Sequence, residues 1–162
     1  MTEKKAKPTI EEIASEYFSG NVLRDFLHFY EFLKSNKLTV VKPTKLYRRS
    51  WAVKYKNKKI GAFKIWDKGY WFFSVTTYKK LTDAKTYENY ITPEQKKFLL
   101  DNYRTEPFCC KGYDNIEFLG QTFNTVCTCW PHFQLNPTGE ALEYAKQLTL
   151  VNKSIVNDTV MA

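Results

Sequence analysis

Apolar residues recur at intervals of three and four near the beginning of the chain. Between residues 22 and 35 they are Val22, Leu23, Phe26, Leu27, Tyr30 and Leu33, which share one face of a helix. A shorter helix is predicted before it, over about residues 9–18, because Thr9 and Glu12 have the spacing of a capping box. We therefore expect two packed helices before residue 36.

The pattern changes to alternation in the middle of the chain. Three stretches rich in β-branched and aromatic residues predict strands: Ser50–Lys56, Lys59–Trp66 and Tyr70–Thr77. A tight turn is expected at Asn57-Lys58 and a three-residue turn at Asp67-Lys68-Gly69. Such short connections join neighbouring antiparallel strands, so the sequence predicts an antiparallel meander.

The two faces of this meander differ. The first face is fully apolar and carries Trp51, Val53, Tyr55, Phe63, Ile65, Trp71, Phe73 and Val75. The second face mixes lysines with Trp66, Tyr70 and Phe72, whereas a face in water normally carries polar residues. Either another element covers this second face or it is a binding surface, and we expect a later helix to cover part of it.

The rest of the pattern predicts three helices and a second hairpin. One helix is expected from Thr82 to about Tyr90, and another begins at Thr92-Pro93-Glu94-Gln95, a capping box with proline at the first position. A small hairpin is expected around Gly120, and a last helix over about residues 137–153.

These elements predict an α+β fold. It is a single domain with a central antiparallel β-meander, a second small hairpin and flanking helices at both ends. The domain is expected to span residues 9–155. A flexible basic arm over residues 1–8 would precede it, and a frayed tail over residues 156–162 would come after it.

Composition narrows the class of protein. A chain of 162 residues suits one domain, and an aromatic share of 17% argues against disorder. The first ten residues are polar and lysine-rich, so we expect no signal peptide. No stretch approaches the ~20 apolar residues that a membrane span requires. We therefore expect a cytoplasmic protein without a membrane partner.

The net charge of +8 is concentrated in one part of the chain. The first sixty residues hold fourteen Lys and Arg against six Asp and Glu, while the remainder is balanced at eleven against eleven. Between Glu31 and Asp67 there is no acid, and eleven bases occupy those thirty-five residues. A mixed solvated surface does not have this distribution.

Aromatic residues are interleaved with these bases, a combination typical of nucleic-acid binding. The candidate contacts to nucleic acid or another polyanion are Lys45, Arg48, Arg49, Lys54, Lys56, Lys58, Lys59 and Lys64. The candidate stacking or pocket aromatics are Tyr47, Trp66, Tyr70 and Phe72. The alternative is that the aromatics are core residues and the lysines their solvent-facing neighbours.

Four cysteines form two close pairs, Cys109-Cys110 and Cys127-Thr128-Cys129, and His132 comes shortly after them. Neither pair has the C-x₂₋₄-C spacing typical of zinc ligands, and adjacent residues of an extended chain point opposite ways. Plain reduced thiols are therefore the favoured interpretation. A zinc site or a reversible disulfide stays open, and no cofactor is expected.

No catalytic motif is present. The sequence has no Gly-rich phosphate loop, no G-x-S-x-G, no H-E-x-x-H and no EF-hand pattern. The pattern favours a non-enzymatic binding protein, with nucleic acid as the first partner. The alternatives are a small-molecule-binding domain with an aromatic pocket on the sheet, or a cysteine-based metal or redox protein.

The C-terminal third carries a resemblance. The residues are Ile116-Glu117-Phe118-Leu119-Gly120, Phe123, Val126, Cys127, Phe133, Asn136-Pro137 and Leu142-Glu143-Tyr144. This run resembles a family of small uncharacterised bacterial cytosolic proteins, which carry a larger set of spaced cysteines where Cys109-Cys110-Lys111-Gly112 stands here. The resemblance implies a bacterial origin but no activity, and it transfers no site residues.

Overall fold

A computed structural model describes residues 8–42, 50–76, 81–103, 111–112, 114–126 and 133–161. Its helices are α1 (Ile10–Tyr17), α2 (Gly20–Ser35), α3 (Ala84–Glu88), α4 (Pro93–Asp101) and α5 (Gly139–Met161). Its strands are β1 (Thr39–Val41), β2 (Ser50–Tyr55), β3 (Lys58–Trp66), β4 (Tyr70–Val75), β5 (Ile116–Phe118), β6 (Gln121–Phe123) and β7 (Phe133–Leu135). The predicted α+β class is confirmed.

The central sheet has five antiparallel strands in the order β1-β2-β3-β4-β7, and β5 and β6 pair separately. The middle three strands are the predicted meander. The two edge strands, β1 and β7, are absent from the sequence prediction. Each has three residues, which is too short for a hydrophobic alternation to be detected, and each exists because its neighbour offers free backbone groups for pairing.

Capping boxes begin α1 and α4 where the sequence places them. The Thr9 hydroxyl accepts the backbone N–H of Glu12, and the Glu12 carboxylate accepts the N–H of Thr9 at 2.7 Å. Thr92 and Gln95 exchange the same two bonds at the start of α4. These bonds satisfy backbone donors that a helix start otherwise leaves unpaired.

Helix α2 packs on the apolar first face of the sheet. Its Phe26 meets Phe63 and Trp71 edge-on, with ring centroids 5.6 and 5.1 Å apart. Its Phe29 lies 4.7 Å from Phe73. All of these rings are buried, so burial of aromatic surface is the main stabilising contribution of this layer.

Helices α4 and α5 lie on the same first face. Leu99 of α4 and Leu148 of α5 line a narrow cleft with Phe73 and Val75, which has about 10 Å³ of free space, room for about one water. The described helices α4 and α5 therefore do not cover the second face, where we expected a later helix. The apolar first face continues past α2 along β4, and α4 and α5 pack on this part of it.

The last helix is longer than the sequence predicted. It runs to Met161, and Ile155 and Val156 are 1% and 2% exposed. The predicted fraying from residue 156 is wrong, because these apolar side chains reach the core beside the sheet. Of the predicted basic arm, only Pro8 lies within the described residues, and it is exposed.

Candidate nucleic-acid interface

The turn between β2 and β3 comes one residue earlier than predicted. Lys56 (φ 44°) and Asn57 (φ 64°) form it, and Tyr55 faces Lys58 across the ladder. Two consecutive positive φ angles in a two-residue loop define a type I′ turn. A one-residue slip would move every side chain of the strand to the opposite face.

A β-bulge corrects this slip. Val53 faces Gly61 while Lys54 faces Lys59, so Ile60 has no opposite residue. A bulge of this kind inserts one extra residue into one strand and realigns the residues beyond it. The apolar face of β3 is therefore preserved even though the turn is shifted.

The same bulge brings Lys59 to the face that carries Lys54 and Lys64. Lys54 faces Lys59, and Lys64 faces Ser50. Because opposite residues of an antiparallel pair share a face, these lysines all lie on the second face. Simple alternation would have put Lys59 on the same side as Phe63, in the core.

Helix α5 is fixed to the sheet at the bulge by Asn152. This residue is fully buried, and its Nδ2 donates to the carbonyl oxygens of Ile60 at 2.9 Å and Thr76 at 3.0 Å. These bonds set the position of the helix along the sheet. They place the next residue, Lys153, beside the end of β2.

Lys153 connects three segments of the chain. Its Nζ donates to the carbonyl oxygen of Asn36, just after α2, at 2.9 Å. The same ammonium lies 5.1 Å from the centroid of the Tyr55 ring on β2. Helix α5, strand β2 and the end of α2 therefore meet around one lysine.

Lysines from the end of α2, the β2–β3 hairpin and α5 gather at this end of the sheet, and we call them the basic corner. Its members are Lys37, Lys54, Lys56, Lys58, Lys59 and Lys153. Lys37 belongs to it because β1 begins two residues later, at Thr39, which faces Lys54. Six positive charges from distant parts of the sequence thus surround this end of the sheet, with Lys54 and Lys59 on its second face and Lys153 on the side of α5.

Tyr55 lies at the centre of the basic corner. Its hydroxyl donates to Oδ1 of Asn157 on α5 at 3.0 Å. The Nζ of Lys56 lies 5.7 Å from its ring centroid, in addition to Lys153. Ammonium groups over an aromatic face interact favourably by about 0.5–1 kcal/mol at exposed sites, so the ring helps to hold two charges close to each other.

Most of these charges have no acidic partner among the described residues. Within the part of the chain that the structure describes, Lys37, Lys54, Lys56 and Lys58 form no ion pair. Lysines elsewhere on the surface do, since Lys97 of α4 pairs with Asp101. The acid next to Asn157 is Asp158, whose carboxylate accepts a hydrogen bond from the hydroxyl of Tyr90.

Two lysines of the basic corner occupy unfavourable backbone positions. Lys37 has φ 58° and ends α2, its N–H bonding to the carbonyl of Lys34 while that of Leu38 bonds to Leu33. This is a Schellman motif, in which glycine or asparagine is usual. Lys56 holds the first position of a type I′ turn, which also favours asparagine or glycine.

Two other residues that are neither glycine nor asparagine have positive φ angles, and each has a local reason. Leu119 is buried at 2% exposure, and Thr125 bonds to the carboxylate of Asp114 through its N–H and hydroxyl. Both Lys37 and Lys56 are instead exposed. Positive φ angles at non-glycine residues concentrate at functional sites, so these positions are notable within a basic surface.

The predicted aromatic residues form a second, separate region. Lys64 and Trp66 lie about 16 Å or more from Lys59 along β3, at about 3.3 Å per residue. The Nζ of Lys64 is 4.3 Å from the Trp66 ring centroid, and Tyr70 packs against Trp66 at 5.4 Å. Phe72 is 1% exposed, so its predicted role as an accessible stacking residue is not met.

The predicted site residues lie only partly within the described ranges. Those outside the described residues are Lys45, Tyr47, Arg48, Arg49, Cys109, Cys110, Cys127, Cys129 and His132. Among the residues that are described, no three His, Cys, Asp or Glu side chains gather as a metal site would require. The predictions for the cysteines stay as they are.

Two members of the basic corner were not singled out in the sequence. Lys37 lies in the acid-free window, but its local pattern is that of an ordinary residue after a helix. Lys153 lies about a hundred residues away on α5, and no local pattern links it to β2. Only the packing of α5 across the sheet brings it there.

Comparison with known proteins gives no relative. No family model, no curated protein and no solved structure matches this chain. The resemblance of the C-terminal third stays a prediction. Over the described ranges, no helix combines the length and apolar character needed to cross a membrane.

Proposed function

We propose that this protein binds nucleic acid without catalysing a reaction, and that the basic corner contacts the phosphates. One observation carries the proposal: six lysines from three distant segments converge at one end of the sheet. Four of them form no ion pair within the described residues. Unpaired ammonium groups that a fold holds together attract a polyanion strongly.

Binding of this kind has a measurable signature. Each phosphate that a lysine neutralises releases counterions, and the logarithm of affinity then falls with the logarithm of salt concentration by about 0.9 per contact on a duplex. Four to six contacts predict a slope of roughly −4 to −5. A solubility surface would give no such binding.

The competing interpretation is that these lysines only keep the surface hydrated. That interpretation asks for lysines at convenient positions and with mixed charges around them. Lys37 and Lys56 instead stand where asparagine or glycine would cost less. The conformational cost is easier to understand if the charges at these positions are used.

The test is fluorescence anisotropy with a labelled oligonucleotide duplex at several salt concentrations. The variant Lys54→Gln/Lys56→Asn/Lys58→Gln removes three charges from the corner. The matched control Lys68→Gln/Lys85→Gln/Lys97→Gln removes three exposed lysines from other elements. We expect at least a hundredfold loss of affinity and a slope lower by about 2.7 in the first variant.

The control variant also loses three positive charges, so we expect it to bind somewhat more weakly than the wild type, within about threefold. Equal losses in the two variants would mean that only net charge matters, and the proposal would be wrong. Absence of binding by the wild type at low salt would also overturn it. Circular dichroism of both variants establishes that they are folded.

The other sequence-based alternatives gain no support from the described residues. The aromatic pocket on the sheet loses one predicted wall because Phe72 is buried. The cysteines lie outside the described ranges. Nucleic acid therefore remains the first candidate partner.

A further inference from the structure

Aromatic rings near the basic corner are already engaged within the protein. Tyr55 bonds to Asn157 through its hydroxyl, and its ring lies beside the ammonium groups of Lys56 and Lys153. A base that stacks on this ring would have to displace a lysine. The corner thus offers charge and does not offer an open aromatic face.

The aromatic residues at the other end of β3 are engaged in a similar way. The ammonium of Lys64 lies over the Trp66 ring, which also packs against Tyr70. Phe72 is almost fully buried. Stacking platforms for single strands require rings that unpaired bases can cover, and none of these three rings is presented in that way.

We infer that the basic corner binds the phosphate backbone of a duplex and reads no bases. This inference rests on the function proposed above and specifies the ligand. A duplex carries one charge per ~1.7 Å of its axis, which is twice the density of one of its strands. Lysines held around one end of a sheet fit a dense and rigid row of phosphates better than they fit a flexible single strand.

The backbone of the corner supports this preference. Lys37 is fixed by the Schellman motif and Lys56 by the type I′ turn, while Lys153 is anchored on Asn36. The ammonium groups thus project from fixed points of the chain. Because the backbone that carries these lysines is already ordered, only side-chain freedom is lost on binding, which favours a rigid partner.

The experiment changes the nucleic acid as well as the protein. Anisotropy is measured with a 20-base-pair duplex, with one of its strands, and with the same strand carrying abasic residues. A duplex of shuffled sequence is the fourth ligand. Removal of bases leaves the phosphates in place, so this comparison separates charge from stacking without any risk of unfolding the protein.

We expect the duplex to bind about tenfold tighter than the single strand. The abasic strand should bind within about twofold of the normal strand, and the shuffled duplex should be equal to the original. A stacking platform would lose roughly 5- to 150-fold for each base removed. A loss of that size, or a tenfold preference for the single strand, would overturn the inference.

Two protein variants complete the test. Trp66→Leu removes a half-buried candidate for stacking, and Tyr47→Leu removes the one that lies outside the described residues. Neither should change duplex affinity by more than about twofold. If none of the ligands binds at low salt, the proposed function itself fails. If they bind but need bases, only the present inference fails.

Discussion

The hydroxyl of Tyr55 donates a hydrogen bond to Oδ1 of Asn157, across 102 residues of sequence, at 3.0 Å. This bond joins the end of strand β2 to the last turns of α5. It lies beside Lys153, so it also helps to fix the ammonium that completes the basic corner. A strand and the carboxyl-terminal helix are therefore coupled at the proposed interface.

Removal of this bond should weaken the fold modestly. We expect Tyr55→Phe and Asn157→Ala each to lower the free energy of unfolding by about 0.5–1.5 kcal/mol. The loss in the double variant should be smaller than the sum of the two single losses, because each single substitution already removes the same bond. Urea denaturation of the four proteins measures this coupling, and fully additive losses would show that the bond contributes nothing.

Gly61 is required by the ring of Phe73. A Cβ added at Gly61 would lie 2.8 Å from Cζ of Phe73, and that ring is buried against Phe29, 4.7 Å away. We expect Gly61→Ala to cost about 1–3 kcal/mol through overpacking. Urea denaturation provides the measurement.

The matched test of this clash replaces the Phe73 ring with a shorter side chain. In the background of Phe73→Leu, the cost of Gly61→Ala should fall by at least half, since the two closest ring atoms, at 2.8 and 3.0 Å, are gone and only the Ser74 carbonyl oxygen, at 3.3 Å, still crowds the added Cβ. An unchanged cost would place the problem in the backbone of the bulge and not in the ring.

The two lysines with positive φ angles allow charge and stability to be separated. We expect Lys37→Asn and Lys56→Asn each to raise the free energy of unfolding by roughly 0.5–1 kcal/mol, because asparagine tolerates this conformation better. Each should at the same time weaken duplex binding several-fold. Thermal denaturation and anisotropy on the same samples provide the two measurements.

This combination excludes unfolding as the cause of lost binding. The control is Lys58→Gln, which lies in strand β3 and removes the same charge without relieving a positive φ angle. It should weaken binding and leave stability unchanged. Variants that are more stable and bind as tightly as the wild type would argue that neither lysine contacts the ligand.

The fold should lose stability in alkali. Burial raises the pKa of the Tyr87 phenol above its ordinary value, and burial is also the largest cause that raises the pKa of Tyr30. Above about pH 10 the unfolded chain loses these protons more readily than the folded one. The stabilisation that these protonated phenols provide is thus complete below about pH 10 and is lost as pH rises. For one phenol that stays protonated only in the folded state, the loss is about 1.4 kcal/mol per pH unit.

Replacement of Tyr87 by phenylalanine should reduce this alkaline loss, with a smaller part remaining from Tyr30. Tyr144→Phe is the control, since it removes a hydroxyl from a half-buried ring that stacks on Phe98. Denaturation midpoints measured between pH 8 and pH 11 make the comparison. An identical pH profile in Tyr87→Phe and the wild type would contradict the assignment.

The resemblance of the C-terminal third and the roles of the cysteines remain predictions. For the candidate interface, the sequence was informative in part. The acid-free window contains five of the six lysines of the basic corner. It does not reveal that Lys59 joins the second face, because that depends on a bulge, nor that Lys153 approaches Tyr55.

By itself, the sequence determined the elements whose signals are local. Helical spacing placed α2, capping boxes placed the starts of α1 and α4, and alternation with turn residues placed the meander. Each of these signals arises from neighbours within a few residues, which interact in any fold.

Only the tertiary structure decided the edges, the bulge and the basic corner. The short strands β1 and β7 form because an adjacent strand supplies hydrogen-bond partners. The last turns of α5 are helical because Ile155 and Val156 pack in the core. Lys153 reaches Tyr55 because Asn152 bonds to two strands. The edge strands and the approach of Lys153 to Tyr55 depend on partners that are distant in the chain, so no local pattern could encode them. The tail of α5 differs, since Ile155 and Val156 continue the helical spacing of Leu148 and Val151.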